Sequence, residues 1–185
     1  IATHGPDAVA FYVSGQLLTE DYYLFNKLAR GLVGTNNIDS NSRLCMSSAV
    51  TAYKSTLGSD TVPCCYEDID LADLYLLAGS NAAITHPILF RRIEAAKNRH
   101  PERQILVIDP RRSETAAYAD LHLAIQPGTD TFLFAAMLHV LVWERMIDEA
   151  FIAEYTQGWD QLPAFLADYP PAVVAGLTGV DEADL

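Results

Sequence analysis

β-Branched and aromatic residues bunch between Val9 and Ser14 and stop at Gly15, a pattern that predicts a buried strand followed by a turn. Thr19, Glu20 and Asp21 stand where an N-cap and an acidic first turn belong, and predict a helix to about Leu32. Residues 34–44 are mostly polar turn formers and read as a loop, which Cys45 ends. Met46 to Leu57 follows as a helix. In the middle of the chain, strand and helix alternate. Leu74 to Ala78 is a short all-apolar run suited to a strand buried on both faces of a parallel sheet, and Gly79-Ser80-Asn81 closes it. Pro87 suits the first turn of a helix running to about Asn98. Gln104 to Ile108 is a second apolar strand, closed by Asp109-Pro110-Arg111-Arg112. Leu121 to Ile125 is a third, closed by Gln126-Pro127-Gly128-Thr129-Asp130. Helices are predicted from about Thr131 to Arg145 and from Glu149 to Thr156; beyond Gly158 the pattern assigns no order. The succession predicts an α/β fold whose βαβ unit crosses over right-handed.

Half of the 185 residues are apolar, enough for a real core. The apolar runs are far too short to span a bilayer, so no membrane partner is expected. Residues 1–20 show no cationic stretch leading into an apolar one, and no signal peptide is expected. A net charge of −12 argues against nucleic acid as a partner. Seven of the twelve Lys and Arg residues lie between Arg91 and Arg112 and none follows Arg145. The stretch from Asp148 onward is therefore purely acidic, either a solvated face or a docking surface for a redox partner. Cys45, Cys64 and Cys65 are an odd number with one adjacent pair, a poor disulfide framework that fits a reducing, cytoplasmic compartment. With no Cys-x-x-Cys, spacing encodes no zinc or iron–sulfur site.

Ligands of open α/β sheets sit outside the carboxyl ends of the strands. Gly79-Ser80-Asn81, Asp109-Pro110-Arg111-Arg112 and Gly128-Thr129-Asp130 can thus face one crevice. Their glycines let backbone approach a ligand closely. The helices after the first and third tips offer free N–H groups to a pyrophosphate. Asp109 or Asp130 can accept hydrogen bonds from a guanine edge, and Arg111 and Arg112 can pair with phosphate. The same tips also read as ordinary turns with Asp and Thr caps. No Gly-x-Gly-x-x-Gly or Gly-x-x-x-x-Gly-Lys-Ser/Thr occurs, which weighs against a Rossmann dehydrogenase or a P-loop enzyme. Cys45, at a helix start beside Arg43, is placed to be a thiolate. It reads as a soft-metal ligand or as an inert buried cysteine; none of the five histidines is placed to serve as its base. His86 reads as a cap of the following helix.

Ser14-Gly15-Gln16, together with Asn36-Asn37-Ile38-Asp39-Ser40-Asn41-Ser42-Arg43-Leu44-Cys45-Met46-Ser47-Ser48-Ala49-Val50, resembles the molybdenum-binding stretch of the bacterial nitrate reductases. These belong to the dimethyl-sulfoxide reductase superfamily of molybdopterin enzymes. The three strand tips, with His86-Pro87, resemble that family's dinucleotide-binding segments and come in the same order. The resemblance implies that Cys45 is the catalytic residue and the molybdenum ligand, the metal being held by two molybdopterin guanine dinucleotides. It implies that Gln16 and Asn41 contact the cofactor. The guanine dinucleotide would be held by Gly79, Ser80 and Asn81, by Asp109, Pro110, Arg111 and Arg112, and by Gly128, Thr129 and Asp130.

Formate dehydrogenases share these tips but follow the cysteine or selenocysteine with histidine; Met46 here is similar to the nitrate reductases. Asp109-Pro110-Arg111 and the lack of a signal resemble the cytoplasmic assimilatory branch. A three-layer, doubly wound, mostly parallel sheet is implied for residues 45–185, with 1–44 as the edge of a neighbouring domain. The family's 4Fe-4S ligands and its C-terminal domain are not in this sequence, so an internal fragment, inactive alone, is expected. Nitrate and an electron-donor protein (ferredoxin, flavodoxin or a flavoprotein subunit) are the implied partners. A formate dehydrogenase and a non-catalytic scaffold of the same superfamily are the alternatives, the retained Cys45 weighing against the scaffold.

Overall fold

The computed structural model describes residues 1–41 and 44–185, and its contacts divide the chain into two units, Ile1–Pro63 and Cys64–Leu185.

The first unit is built on a short parallel pair, β1 (Phe11–Val13) and β2 (Ile38–Ser40), with Phe11 opposite Ile38 and Val13 opposite Ser40. Between them run α1 (Thr19–Asn26) and a π-helical stretch, Lys27–Val33, that ends at Gly34 in the left-handed conformation. The helix expected to about Leu32 is thus present, but its second half, which contains Gly31, is wound wide. Thr19 is its first residue rather than a side-chain cap. β2 replaces part of the expected loop: only Ile38 of its three residues is apolar, and pairing with β1, not propensity, makes it a strand. Helix α2 (Ser47–Leu57) follows and ends at Gly58. By its contacts α2 goes with the first unit.

In the second unit, β3 (Leu74–Ala78), β4 (Gln104–Ile108) and β5 (Leu121–Leu123) form a parallel sheet in that order. Ala78 pairs with Ile108, and Ile108 with Leu123. Helices α4 (Ala82–Thr85) and α5 (Pro87–Arg99) make the crossover from β3 to β4. The strand period of two sorts β4 cleanly between two cores. Ile105 and Val107 pack with Phe90, Ile93 and Ala96 of α5. Ile108 packs with Leu123, Ile125, Leu133 of α6 (Asp130–Trp143) and Val180. Helices therefore pack on both faces of the sheet at β4, giving three layers. Beyond α6 come α7 (Glu149–Tyr155), α8 (Leu162–Leu166) and α9 (Pro171–Thr178), with α8 and α9 packed on α6.

β3 departs from the reading of a strand buried on both faces: Tyr75 is buried, but Leu74 is 55% and Leu76 37% exposed. Its single neighbour among the described residues is β4, so it is an edge strand.

Much of the basic cluster serves to hold this unit together. Asp70, in α3 (Asp68–Leu71), accepts from Arg92 Nε at 3.0 Å and Nη2 at 2.5 Å, while Arg103 donates to its carbonyl at 2.7 Å. Lys97 Nζ meets Asp120 Oδ2 at 2.5 Å, and the same oxygen accepts the Ile105 N–H at 2.7 Å. The Arg92 hydrogen bonds hold the Asp70 carboxyl below its ordinary range; Lys97 and the Ile105 N–H do the same for Asp120. Among the described residues, no helix is long and apolar enough to cross a membrane.

Candidate functional site

Parallel pairing brings the carboxyl ends of β3, β4 and β5 to one edge of the sheet. The ladder continues one residue past the strands: Gly79 N–H donates to the Ile108 carbonyl at 2.8 Å, and Asp109 N–H to the Leu123 carbonyl at 3.2 Å. All three tips border one cleft of ≈ 280 Å³, whose lining includes Gly79, Pro110, Pro127, Gly128 and Asp130 above an apolar floor of Ile108, Ile125 and Phe134. Gly79 (φ +59°) and Gly128 (φ +83°) both need the left-handed conformation, and a Cβ on either would meet nothing within 4 Å. The glycines are thus required by backbone conformation, and they leave the cleft wall open to a close-lying ligand.

At the second tip, Asp109 is only 3% exposed, and its Oδ1 accepts the Arg111 N–H at 2.8 Å. His122 Nε2–H donates to the Asp109 carbonyl at 2.8 Å. The Asp109 carboxylate is folded into its own turn, whereas Asp130, in the first turn of α6, borders the cleft. Of the two acids the sequence offers for a guanine edge, the fold presents Asp130. Arg111 and Arg112 are exposed, with Arg111 Nε 3.7 Å from Asp109.

At the first tip the Asn81 side chain is held by the protein. Its Nδ2 donates to Glu114 Oε2 at 2.7 Å; its Oδ1 accepts from Thr115 Oγ1 at 2.9 Å and from the Thr115 N–H at 3.3 Å. The Asn81 bond is the main cause that lowers the Glu114 carboxyl below its ordinary range. No spacing rule joins position 81 to 114 and 115, and sequence reading missed both partners. His86 occupies the N-cap position of α5, its carbonyl accepting the Phe90 N–H at 3.0 Å, but its side chain makes no capping bond; Nδ1 instead lies 2.9 Å from Thr85 Oγ1. At the third tip, Thr129 Oγ1 donates to the Gln126 carbonyl at 2.7 Å, closing the turn that starts α6. The N–H groups of Asp130 and Thr131 precede the first intrahelical bonds, at the positive end of the helix.

In the first unit, the carboxyl ends of β1 and β2 bring Gly15 and Asn41 together, with Gln16 next in the chain, its N–H donating to Ser14 Oγ at 3.1 Å. The Gly15 N–H donates to Asn41 Oδ1, and the Asn41 carbonyl accepts the Leu44 N–H at 3.0 Å. Cys45 lies in the turn that follows, two residues ahead of α2, with an exposed, free thiol. The reading of a buried cysteine is thereby set aside. Arg43, expected beside it, lies outside the described residues. Cys64 and Cys65 are also exposed and free. Among the described residues, no group of three or more His, Cys, Asp or Glu is gathered for a metal ion.

The family model for molybdopterin oxidoreductases matches residues 1–178. The nitrate reductase of Klebsiella oxytoca is 53% identical over 165 residues, which are 86% of this chain and 19% of that protein. The nitrate reductase of Shewanella frigidimarina is 51% identical over 185 residues, 96% of this chain and 20% of that protein. An F420-dependent formate dehydrogenase subunit alpha from Methanocaldococcus jannaschii is 40% identical over 176 residues, 95% and 26% of the two chains. Among solved structures, acetylene hydratase from Pelobacter acetylenicus superposes with a TM-score of 0.71 at 26% identity, over 98% of this chain and 24% of that one. The chain therefore spans about a fifth to a quarter of the length of these relatives. With nearly the whole sequence matched and the α/β architecture shared, the chain belongs to the molybdopterin oxidoreductase family.

Proposed function

We propose that this chain is part of a cytoplasmic, assimilatory-type nitrate reductase that reduces nitrate to nitrite. The observation that carries the reading is Cys45: an exposed thiol at the positive end of an 11-residue helix, followed by Met46, in a chain 51–53% identical to proteins named nitrate reductase. A molybdenum held by two molybdopterin guanine dinucleotides would supply, when bound, the oxygen-atom transfer by which nitrate, two electrons and two protons become nitrite and water. Cys45 would be the protein's ligand to that metal, its thiolate setting the electron density there. Gln16 and Asn41, at the ends of β1 and β2, would hold the pterin side.

The geometry of the second unit supports a dinucleotide there independently of Cys45. Gly79 and Gly128 leave room where a Cβ would stand, so backbone can lie against a ligand. The open end of α6 suits a pyrophosphate, Asp130 a guanine edge, and Arg111 and Arg112 the phosphates. In the parent enzyme, residues 1–44 would form the edge of a neighbouring domain and 45–185 the guanine-dinucleotide domain. A 4Fe-4S cluster elsewhere in that enzyme would pass electrons from a ferredoxin, flavodoxin or flavoprotein donor.

The test is Cys45→Ala in the full-length enzyme, assayed by nitrate-dependent oxidation of a reduced viologen dye. Activity is expected to fall to background; full activity would remove Cys45 from the mechanism. A formate dehydrogenase is the second reading, favoured by the 40% identical formate dehydrogenase subunit. The same dye with nitrate or formate as substrate separates the two, and turnover of formate alone would replace the nitrate reading.

A further inference from the structure

We propose that Thr115 is a positioning residue: a buried hydroxyl that fixes the spacing of the first two strand tips, making the Asn81 carbonyl a latch between them rather than a ligand contact. The inference deepens the reading of these tips as a guanine-dinucleotide site and rests on it. Thr115 is fully buried, at 0% exposure. Its Oγ1 donates to Asn81 Oδ1 at 2.9 Å and accepts the Ala83 N–H at 2.9 Å, while its own N–H reaches Asn81 Oδ1 at 3.3 Å. Thr115, three residues past Arg112, thus makes two hydrogen bonds to the first tip and one to the start of α4 behind it, across 32 to 34 positions of chain.

The consequence for Asn81 follows from its capacity. An amide oxygen has two lone pairs, and both are engaged by Thr115. One amide proton goes to Glu114 at 2.7 Å. Asn81 cannot turn its carbonyl to a ligand without stranding the Thr115 hydroxyl in a site that water does not reach. From this tip, a phosphate or ribose is left the backbone of Gly79 and Ser80, the Ser80 hydroxyl and the second Asn81 amide proton, but not the Asn81 carbonyl. The loop that carries Thr115 is itself anchored: Ser113 Oγ accepts the Ala116 N–H at 3.3 Å, and Ala116 is buried in the core under α5. Thr115 therefore transmits the rigidity of that core to both tips.

The experiment uses the full-length enzyme and reads molybdenum per polypeptide and guanosine monophosphate released by acid hydrolysis, beside the melting temperature of each variant. Thr115→Val keeps the shape but removes both hydroxyl bonds and is expected to retain less than about a tenth of the wild-type cofactor; Thr115→Ser, which keeps them, should stay within about twofold. Asn81→Asp sets a carboxylate against Glu114 and should lose cofactor likewise, and Asn81→Asp with Glu114→Gln, which restores a donor–acceptor pair, should recover to within about threefold. If Thr115→Val does not fold, the Asn81 and Glu114 pair decides the matter alone. Wild-type cofactor content in Thr115→Val or in Asn81→Asp would overturn the latch. A wild-type enzyme holding neither molybdenum nor guanosine monophosphate would instead bring down the dinucleotide reading, and the latch with it.

Discussion

Asp109 and Asp130 are chemically alike and close to the same cleft, but their surroundings separate their tasks. Asp109 is buried and accepts the Arg111 N–H, so its carboxylate maintains the bend of the second tip. Asp130 borders the cleft at the start of α6, where it can accept the two N–H groups of a guanine edge. Charge-assisted hydrogen bonds contribute about 1.5–3 kcal/mol, so Asp130→Ala should weaken cofactor retention about tenfold or more. Asp109→Asn keeps an acceptor for Arg111 and should change retention by less than about threefold. Guanosine monophosphate released per polypeptide measures both, and equal losses would show that the fold does not distinguish the two acids. At this scale the sequence was informative about which residues cluster, because glycines after apolar strands announce tips. It could not reveal which acid borders the cleft, nor that Thr115 bonds Asn81, because both depend on how separate loops meet.

The elements are joined by a few ion pairs whose strength depends on pH. Asp120 ties α5 to β4 through Lys97 and the Ile105 N–H, and both lower its carboxyl from an ordinary value of 3.8. A depressed acid stabilises the fold above its unfolded value, and that contribution is lost as pH falls through the lower, folded value. Asp120→Asn keeps the acceptor for Ile105 but loses the charge, and should cost about 1 kcal/mol at pH 7, given the partial exposure of the pair. Thermal melts at pH 7 and below pH 3.8 should show the gap between variant and parent closing in acid. A gap of the same size at both would mean that the amide disturbs packing instead. The regular strands and helices were legible because apolar period and punctuation agree over Leu74–Ala78, Pro87–Arg99 and Gln104–Ile108. β2 was not, since Ile38-Asp39-Ser40 becomes a strand only by pairing with β1. The exposed face of β3 was not either: an apolar run reports a preference for burial, not whether this stretch of chain provides the cover.

At the scale of the whole molecule, the uncovered face of β3 bears on self-association and the single cleft on how much cofactor one chain can hold. The chain covers about a fifth of the length of the nitrate reductases it resembles at 51–53% identity. Three tips and one cleft suit one dinucleotide tail, whereas the proposed metal centre takes two dinucleotides and a thiolate. A metal centre of this kind is held by all its ligands acting together, so removing part of the cage costs more than a proportional share of affinity. The isolated 185-residue chain is therefore expected to carry no stoichiometric molybdenum and to reduce no nitrate, while Leu74 and Leu76 promote self-association. Elemental analysis and light scattering of the purified chain measure both. A monodisperse monomer with one molybdenum per chain would show that Cys45 and the three tips suffice by themselves to hold the cofactor.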